Sequence, residues 1–149
     1  MSDRIRALAV RWFEEVWNQG RESAVDELAS PRLRCFGFPD PDSVTDADGF
    51  KAAVRTLQRT FSGIHISVDE TIVQGDSVAV RWTARATHTG TGLGFPATGL
   101  PVTIPGISIL HMRGGRISEG YNAYDLTAVI DRLSAIAAAR RAEPVARSG

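Results

Sequence analysis

Ser77-Val78-Ala79-Val80-Arg81-Trp82-Thr83-Ala84-Arg85-Ala86-Thr87-His88 alternates between two kinds of side chain. Val78, Val80, Trp82, Ala84, Ala86 and His88 share one face, while Ser77, Arg81, Thr83, Arg85 and Thr87 share the other. A period of two sustained over this length specifies a strand with one face turned inward. Gln74-Gly75-Asp76 just before it is a hairpin turn. Ile64, Ile66, Val68 and Ile72 alternate on the strand leading into that turn, with Glu70 interrupting the face, and a bulge that turns Glu70 outward accounts for the interruption. Downstream, 102–112 reads as a long strand, and Arg113-Gly114-Gly115-Arg116 turns tightly into a strand over 117–125.

Outside this region the period changes. Ile5, Leu8, Trp12 and Val16 recur at helical spacing behind a capping Ser2, flanked by Ala9, Phe13 and Trp17, and Gly20 ends the helix. A short helix over 22–29 stops at Ser30-Pro31, a short strand covers 33–38, and Pro39-Asp40-Pro41-Asp42 breaks regular structure. A third helix spans 46–61, with Phe50, Val54, Leu57 and Phe61 on one side and Lys51, Arg55 and Arg59 on the other. A last helix over 126–139 carries Leu126, Val129, Ile130 and Leu133, and 140–149 reads as a flexible polar tail. Helices first, then long meandering strands, then a closing helix predict one α+β domain over 1–139, with helices packed on one face of a strongly curved antiparallel sheet. The inner side of a curled sheet leaves room for a ligand.

The 149 residues suit one domain, and 17 basic residues balance 17 acidic ones. That balance removes any general electrostatic reason to bind nucleic acid or an anionic membrane. Cys35 is the sole cysteine, so neither an intramolecular disulfide nor a thiolate metal cluster can form. The first residues are charged and lack a leader-like apolar stretch, and no apolar run approaches bilayer length, so the expected address is the cytoplasm. His65, His88 and His111 lie on three strands without consistent facing, and no metal is expected.

Taken in order, Gly75-Asp76-Ser77-Val78-Ala79-Val80-Arg81-Trp82, Thr87-His88-Thr89-Gly90, Pro96-Ala97-Thr98-Gly99 and Gly115-Arg116-Ile117-Ser118-Glu119 with Asp125 six residues on resemble the SnoaL-like polyketide cyclases of the nuclear transport factor 2-like superfamily. Phe13-Glu14-Glu15-Val16-Trp17-Asn18-Gln19-Gly20 is similar to the same pattern. The resemblance implies a cone-shaped α+β barrel enclosing a pocket, usually paired as a homodimer. It also implies a cofactor-independent cyclase or isomerase acting by general acid/base catalysis on a small hydrophobic polyketide-type intermediate. The superfamily holds non-catalytic members too, so a protein that only sequesters a hydrophobic metabolite, or a dimeric interaction module, stays open. Epoxide opening of the limonene hydrolase type needs an Asp-Arg-Asp arrangement, and no second Asp accompanies Arg81 here.

Asp125 matches the family's catalytic acid, to be held at the pocket floor with a raised pKa; alternatively it N-caps the last helix. His88, on the inner face, is either a second proton-transfer group or a rim histidine bonded to backbone where the strand enters the Gly-rich stretch. Glu119 is a reserve acid/base. Trp82, Tyr121, Phe36, Phe38 and Trp12 are the candidate apolar walls, whereas Asn122 and Tyr124, of opposite parity to Tyr121, face away unless a bulge intervenes. The segment from Gly90 to Gly99 lacks the Gly-Lys-Ser ending of a phosphate loop and reads as a connection over the pocket mouth, mobile or rigid. Cys35-Phe36-Gly37-Phe38 stands where related cyclases often carry a polar residue, which makes the expected pocket more apolar.

Overall fold

The computed structural model describes residues 2–37 and 44–142. Phe38 and the tail from 143 onward lie outside the described residues. The elements run α1 (Ser2–Arg11), a wider helical segment (Trp12–Asn18), α2 (Glu22–Leu28), β1 (Ala29–Phe36), α3 (Ala47–Thr60), β2 (Phe61–Gln74), β3 (Ser77–His88), β4 (Pro101–Arg113), β5 (Arg116–Tyr124) and α4 (Leu126–Ala142). The closing helix therefore continues three residues past its expected end, and β1 begins four residues early, taking in Pro31. Proline is tolerated there because β1 is an edge strand whose outer N–H needs no partner.

The fold is α+β, as expected, with one five-stranded sheet in the order β1-β5-β4-β3-β2. Two features differ from the expectation of an antiparallel barrel. β1 joins β5 in parallel, which makes the sheet mixed, and β1 and β2 form its two unjoined edges, so it does not close. A chain that reaches β1 before the meander and returns to it through β5 arrives in the same direction, and this connectivity produces the parallel pair.

The inner face follows from the alternation in β3. Val78 and Val80 are wholly buried and Trp82 nearly so, and they pack with Trp12, Phe13, Val16, Phe50 and Leu110 into one cluster. Trp12 and Phe50 bring their ring centroids to 5.0 Å. Each such side chain contributes about 2–3 kcal/mol by leaving water, which identifies helix-on-sheet burial as the main source of stability. Asp46 starts α3 by accepting a hydrogen bond from Gly49 N at 2.7 Å.

Bulges decide which residues enter that face, among them one in the middle of β2 and one in β5. In β2, Val68 pairs with Trp82 and Glu70 with Arg81, leaving Asp69 as the extra residue. Glu70 turns outward to an ion pair with Arg81 at 3.1 Å, as the pattern suggested, and Ile72 turns out with it, 62% exposed. In β5, Ile117 pairs with Met112 and Glu119 with His111, so Ser118 is the extra residue. Every side chain after Ser118 is thereby moved to the opposite face from the one that counting from Ile117 gives.

The Asn18 side chain closes the edge of β2. Its Nδ2 donates to the Ile66 carbonyl at 2.9 Å and its Oδ1 accepts from Ile66 N at 2.6 Å, replacing a missing strand neighbour. No helix of the described residues is long and apolar enough to cross a membrane. Replacing Asn18 by Ala strands both Ile66 groups, and urea unfolding should show a loss of about 2 kcal/mol with an unchanged slope.

Candidate functional site

Between the inner sheet face and the helices lies a hollow of about 110 Å³. Its walls are hydrocarbon and aromatic, with Trp12, Phe50 and Leu57 from the helical side and Ile66, Trp82 and Ile104 from the sheet. An apolar cavity of about 150 Å³ holds benzene, so this smaller hollow takes at most a single ring or a short chain segment.

Trp82 takes its position from a glycine. Gly106 is its partner on β4, and a Cβ there would lie 2.2 Å from the indole, so the ring occupies the space of an absent side chain. Tyr124 follows Gly106 in the same row on β5, and its ring centroid is 6.0 Å from that of Trp82. One row over, Trp82 Nε1 donates to Ser108 Oγ at 2.9 Å, Ser108 Oγ donates to Asn122 Oδ1 at 2.7 Å, and Asn122 Nδ2 donates to the Phe36 carbonyl at 2.9 Å. Gly37 permits this last contact: a Cβ there would meet Asn122 O at 2.0 Å, and its φ of +87° suits glycine. These polar groups form one patch in an otherwise greasy hollow.

The Ser118 bulge explains why several expected residues are elsewhere. Tyr121 faces outward, 43% exposed, and stacks on Phe36 at 4.8 Å between centroids, so neither lines the hollow. Glu119 also points outward and accepts from the Tyr121 hydroxyl at 3.1 Å. Asn122 and Tyr124 enter the hollow in their place. Asp125 is exposed, and its Oδ1 accepts from Ala128 N at 3.1 Å. It caps α4 in solvent and does not reach the hollow, which removes it as a buried proton-transfer group.

His88 is wholly buried, yet it lies beyond the lining of the hollow. It secures the Gly-rich connection. Its N–H donates to Leu100 O at 2.9 Å, its carbonyl accepts from Gly99 N at 2.8 Å, and its Nδ1 accepts from Thr98 N at 3.1 Å. Arg140 of α4 donates to Thr98 O at 2.6 Å, and Thr60 O receives both Thr89 N and Gly90 N. The connection is a tied segment. With Nδ1 accepting, the ring proton sits on Nε2. Burial holds His88 below the ordinary histidine pKa.

The ionisable groups on the lining are Cys35, Tyr124 and the exposed Arg85. Burial pushes the Cys35 thiol and the Tyr124 phenol each up to about 12, so both are neutral near neutral pH. No Asp, Glu or His lines the hollow among the described residues, and none of them form a group of three or more His, Cys, Asp or Glu able to hold a metal.

The family model for SnoaL-like polyketide cyclases matches residues 7–133. The chain belongs to that family. Solved SnoaL-like relatives share the architecture. A protein from Acidithiobacillus ferrooxidans, provisionally named a polyketide cyclase, superposes with a TM-score of 0.79 at 25% identity over 91% of this chain and 97% of its own. IdmH from Streptomyces antibioticus, with the same provisional name, gives 0.76 at 26% identity over 87% and 98%. A Catenulispora acidiphila protein of ketosteroid isomerase-like fold, solved with trimethylamine, gives 0.70 at 16% identity over 85% and 92% and shares the fold. A search of curated proteins gave no match.

Ser108, Asn122 and Tyr124 are the site residues that sequence patterning missed. Ile107 and Ile109 look like the buried face of β4, but they are 50% and 42% exposed, and the small polar Ser108 between them faces inward. Burial makes His88 harder to protonate in the folded protein than in the unfolded chain, whose histidine titrates near 6.5, so the unfolded state binds more protons around and below that pH. Stability should therefore fall as pH drops through the ordinary histidine range, by at most about 1.4 kcal/mol per pH unit, and His88→Gln should flatten that slope in pH-dependent melting.

Proposed function

We propose that this SnoaL-like chain closes a ring in a hydrophobic polyketide-type intermediate by confinement, without a carboxylate in the hollow. The supporting observation is the apolar hollow of about 110 Å³ with one hydrogen-bonded polar patch on its sheet side. A 1,3-dicarbonyl chain carries its own nucleophile as the enol. On closure the enol carbon bonds to a second carbonyl carbon, and the enol proton passes to the new alkoxide oxygen, so no further reactant is consumed. Holding the reacting carbons together supplies several kcal/mol of the barrier, about 7 or more in the best intramolecular cases. A longer substrate extends past the half-exposed rim at Leu57, Ala84 and Leu126.

The same lining favours one competing reading. With Tyr124 and Cys35 held neutral and no carboxylate present, the hollow also suits a protein that binds such an intermediate and releases it unchanged. Liquid chromatography of a synthetic aryl-capped triketide ester incubated with the protein separates the two. Cyclisation should accelerate at least about 100-fold over buffer, Ala84→Phe should abolish the effect by filling the hollow, and Asp125→Asn should leave the rate within about twofold. Saturable binding without product would establish the carrier, and neither binding nor product would defeat both readings.

We further propose that the outer sheet face pairs with a second copy of the chain. Ile109 and Tyr121 are register partners there, with Ile107 beside them, all 42–50% exposed. An apolar patch of this kind on a sheet is a common subunit contact. Light scattering after size exclusion should give a dimer for the wild type and a monomer for Ile109→Arg, with the hollow's ligand binding retained.

A further inference from the structure

The chain Trp82–Ser108–Asn122–Phe36 has only one possible direction. An indole N–H can only donate, and a backbone carbonyl can only accept. Ser108 Oγ therefore accepts from Trp82 and spends its single proton on Asn122 Oδ1, and the Asn122 amide nitrogen must be the atom facing Phe36 O. Both ends of the amide are fixed, so it cannot flip. Its Nδ2 keeps one further N–H.

Tyr124 lies two residues along the same strand on the same face, and both side chains line the hollow. Its ring is half-buried against Trp82, and its hydroxyl makes none of the hydrogen bonds of the described residues. The phenol stays protonated across the neutral range, because burial raises its pKa to about 12. A half-buried tyrosine normally finds a partner for its hydroxyl, and the described residues supply none.

We infer that Tyr124 and Asn122 are the specificity-determining pair of the hollow: two donors on one face of β5 that select a ligand carrying a carbonyl oxygen over the same skeleton without one. A carbonyl has two lone pairs and no proton, which matches a phenol O–H and an amide N–H at once. Ser108 and Trp82 act as positioning residues, holding the amide so that its free N–H stays available. This inference rests on the hollow being a ligand site, as proposed above.

Acetophenone and ethylbenzene are nearly isosteric single-ring probes that differ in the carbonyl. Calorimetric titration of the wild-type protein should show acetophenone binding about tenfold more tightly than ethylbenzene, the equivalent of one to two neutral hydrogen bonds. Infrared spectra of bound, carbonyl-labelled acetophenone should show its stretch shifted to lower frequency than in hexane. Tyr124→Phe keeps the ring and should bring acetophenone affinity down towards that of ethylbenzene and reverse part of the shift. Ser108→Ala should reverse part of the shift as well, which a residue serving stability alone would not do. Equal affinities for the two probes in the wild type, or a carbonyl band at its hexane position, would overturn the pair's role while leaving the hollow as a binding site. Failure of both probes to bind would remove the hollow reading and this inference with it.

Discussion

Trp82 lies across Gly106, and the inner architecture follows from that contact. A side chain at Gly106 would sit 2.2 Å from the indole, so the ring can lie against the sheet only because that position is empty. With the ring so placed, its far edge reaches the row that carries Tyr124, and its N–H meets Ser108. The indole is wall, spacer and hydrogen-bond donor together. It leaves space above it because a flat ring on a strand is shallower than a branched side chain standing upright, and the helices resting on Trp12 and Phe50 then span a gap that they do not fill.

Much of this was legible in the sequence. The face assignment of β3 held from Val78 to Trp82 because neither of the bulges that reset the faces of β2 and β5 interrupts it. The α+β class followed from the change of period at the middle of the chain, and the resemblance over the second half pointed to the family that the match over 7–133 establishes. The bulge at Asp69 could be inferred as well, since Glu70 would otherwise stand in an apolar row.

The polar patch was not legible, and one extra residue explains why. Nothing about Ser118 marks it as a bulge, yet it exchanges the two faces of β5 and puts Asn122 and Tyr124 inside, with Tyr121 and Glu119 outside. The isoleucines of β4 offer no guide to its faces, because Ile107 and Ile109 stand on the outward one. Asp125 illustrates a different limit. Its place before a helix allowed both a catalytic and a capping role, and the structure shows an exposed side chain that accepts the capping hydrogen bond from Ala128 N. His88 is held by the Thr98 hydroxyl and by the backbone of the segment beside it.

Cys35 gives this arrangement a built-in stopwatch. The lone sulfhydryl sits on β1 at the wall of the hollow, 4% exposed, and stays a thiol up to about pH 12. Alkylating reagents consume thiolate, so in the closed protein they find almost nothing to react with. Modification should then follow the openings that expose the sulfhydryl, and the labelling rate reports on them. A molecule lodged against the same wall would slow the clock, giving a chemical record of occupancy that needs no knowledge of what the occupant is.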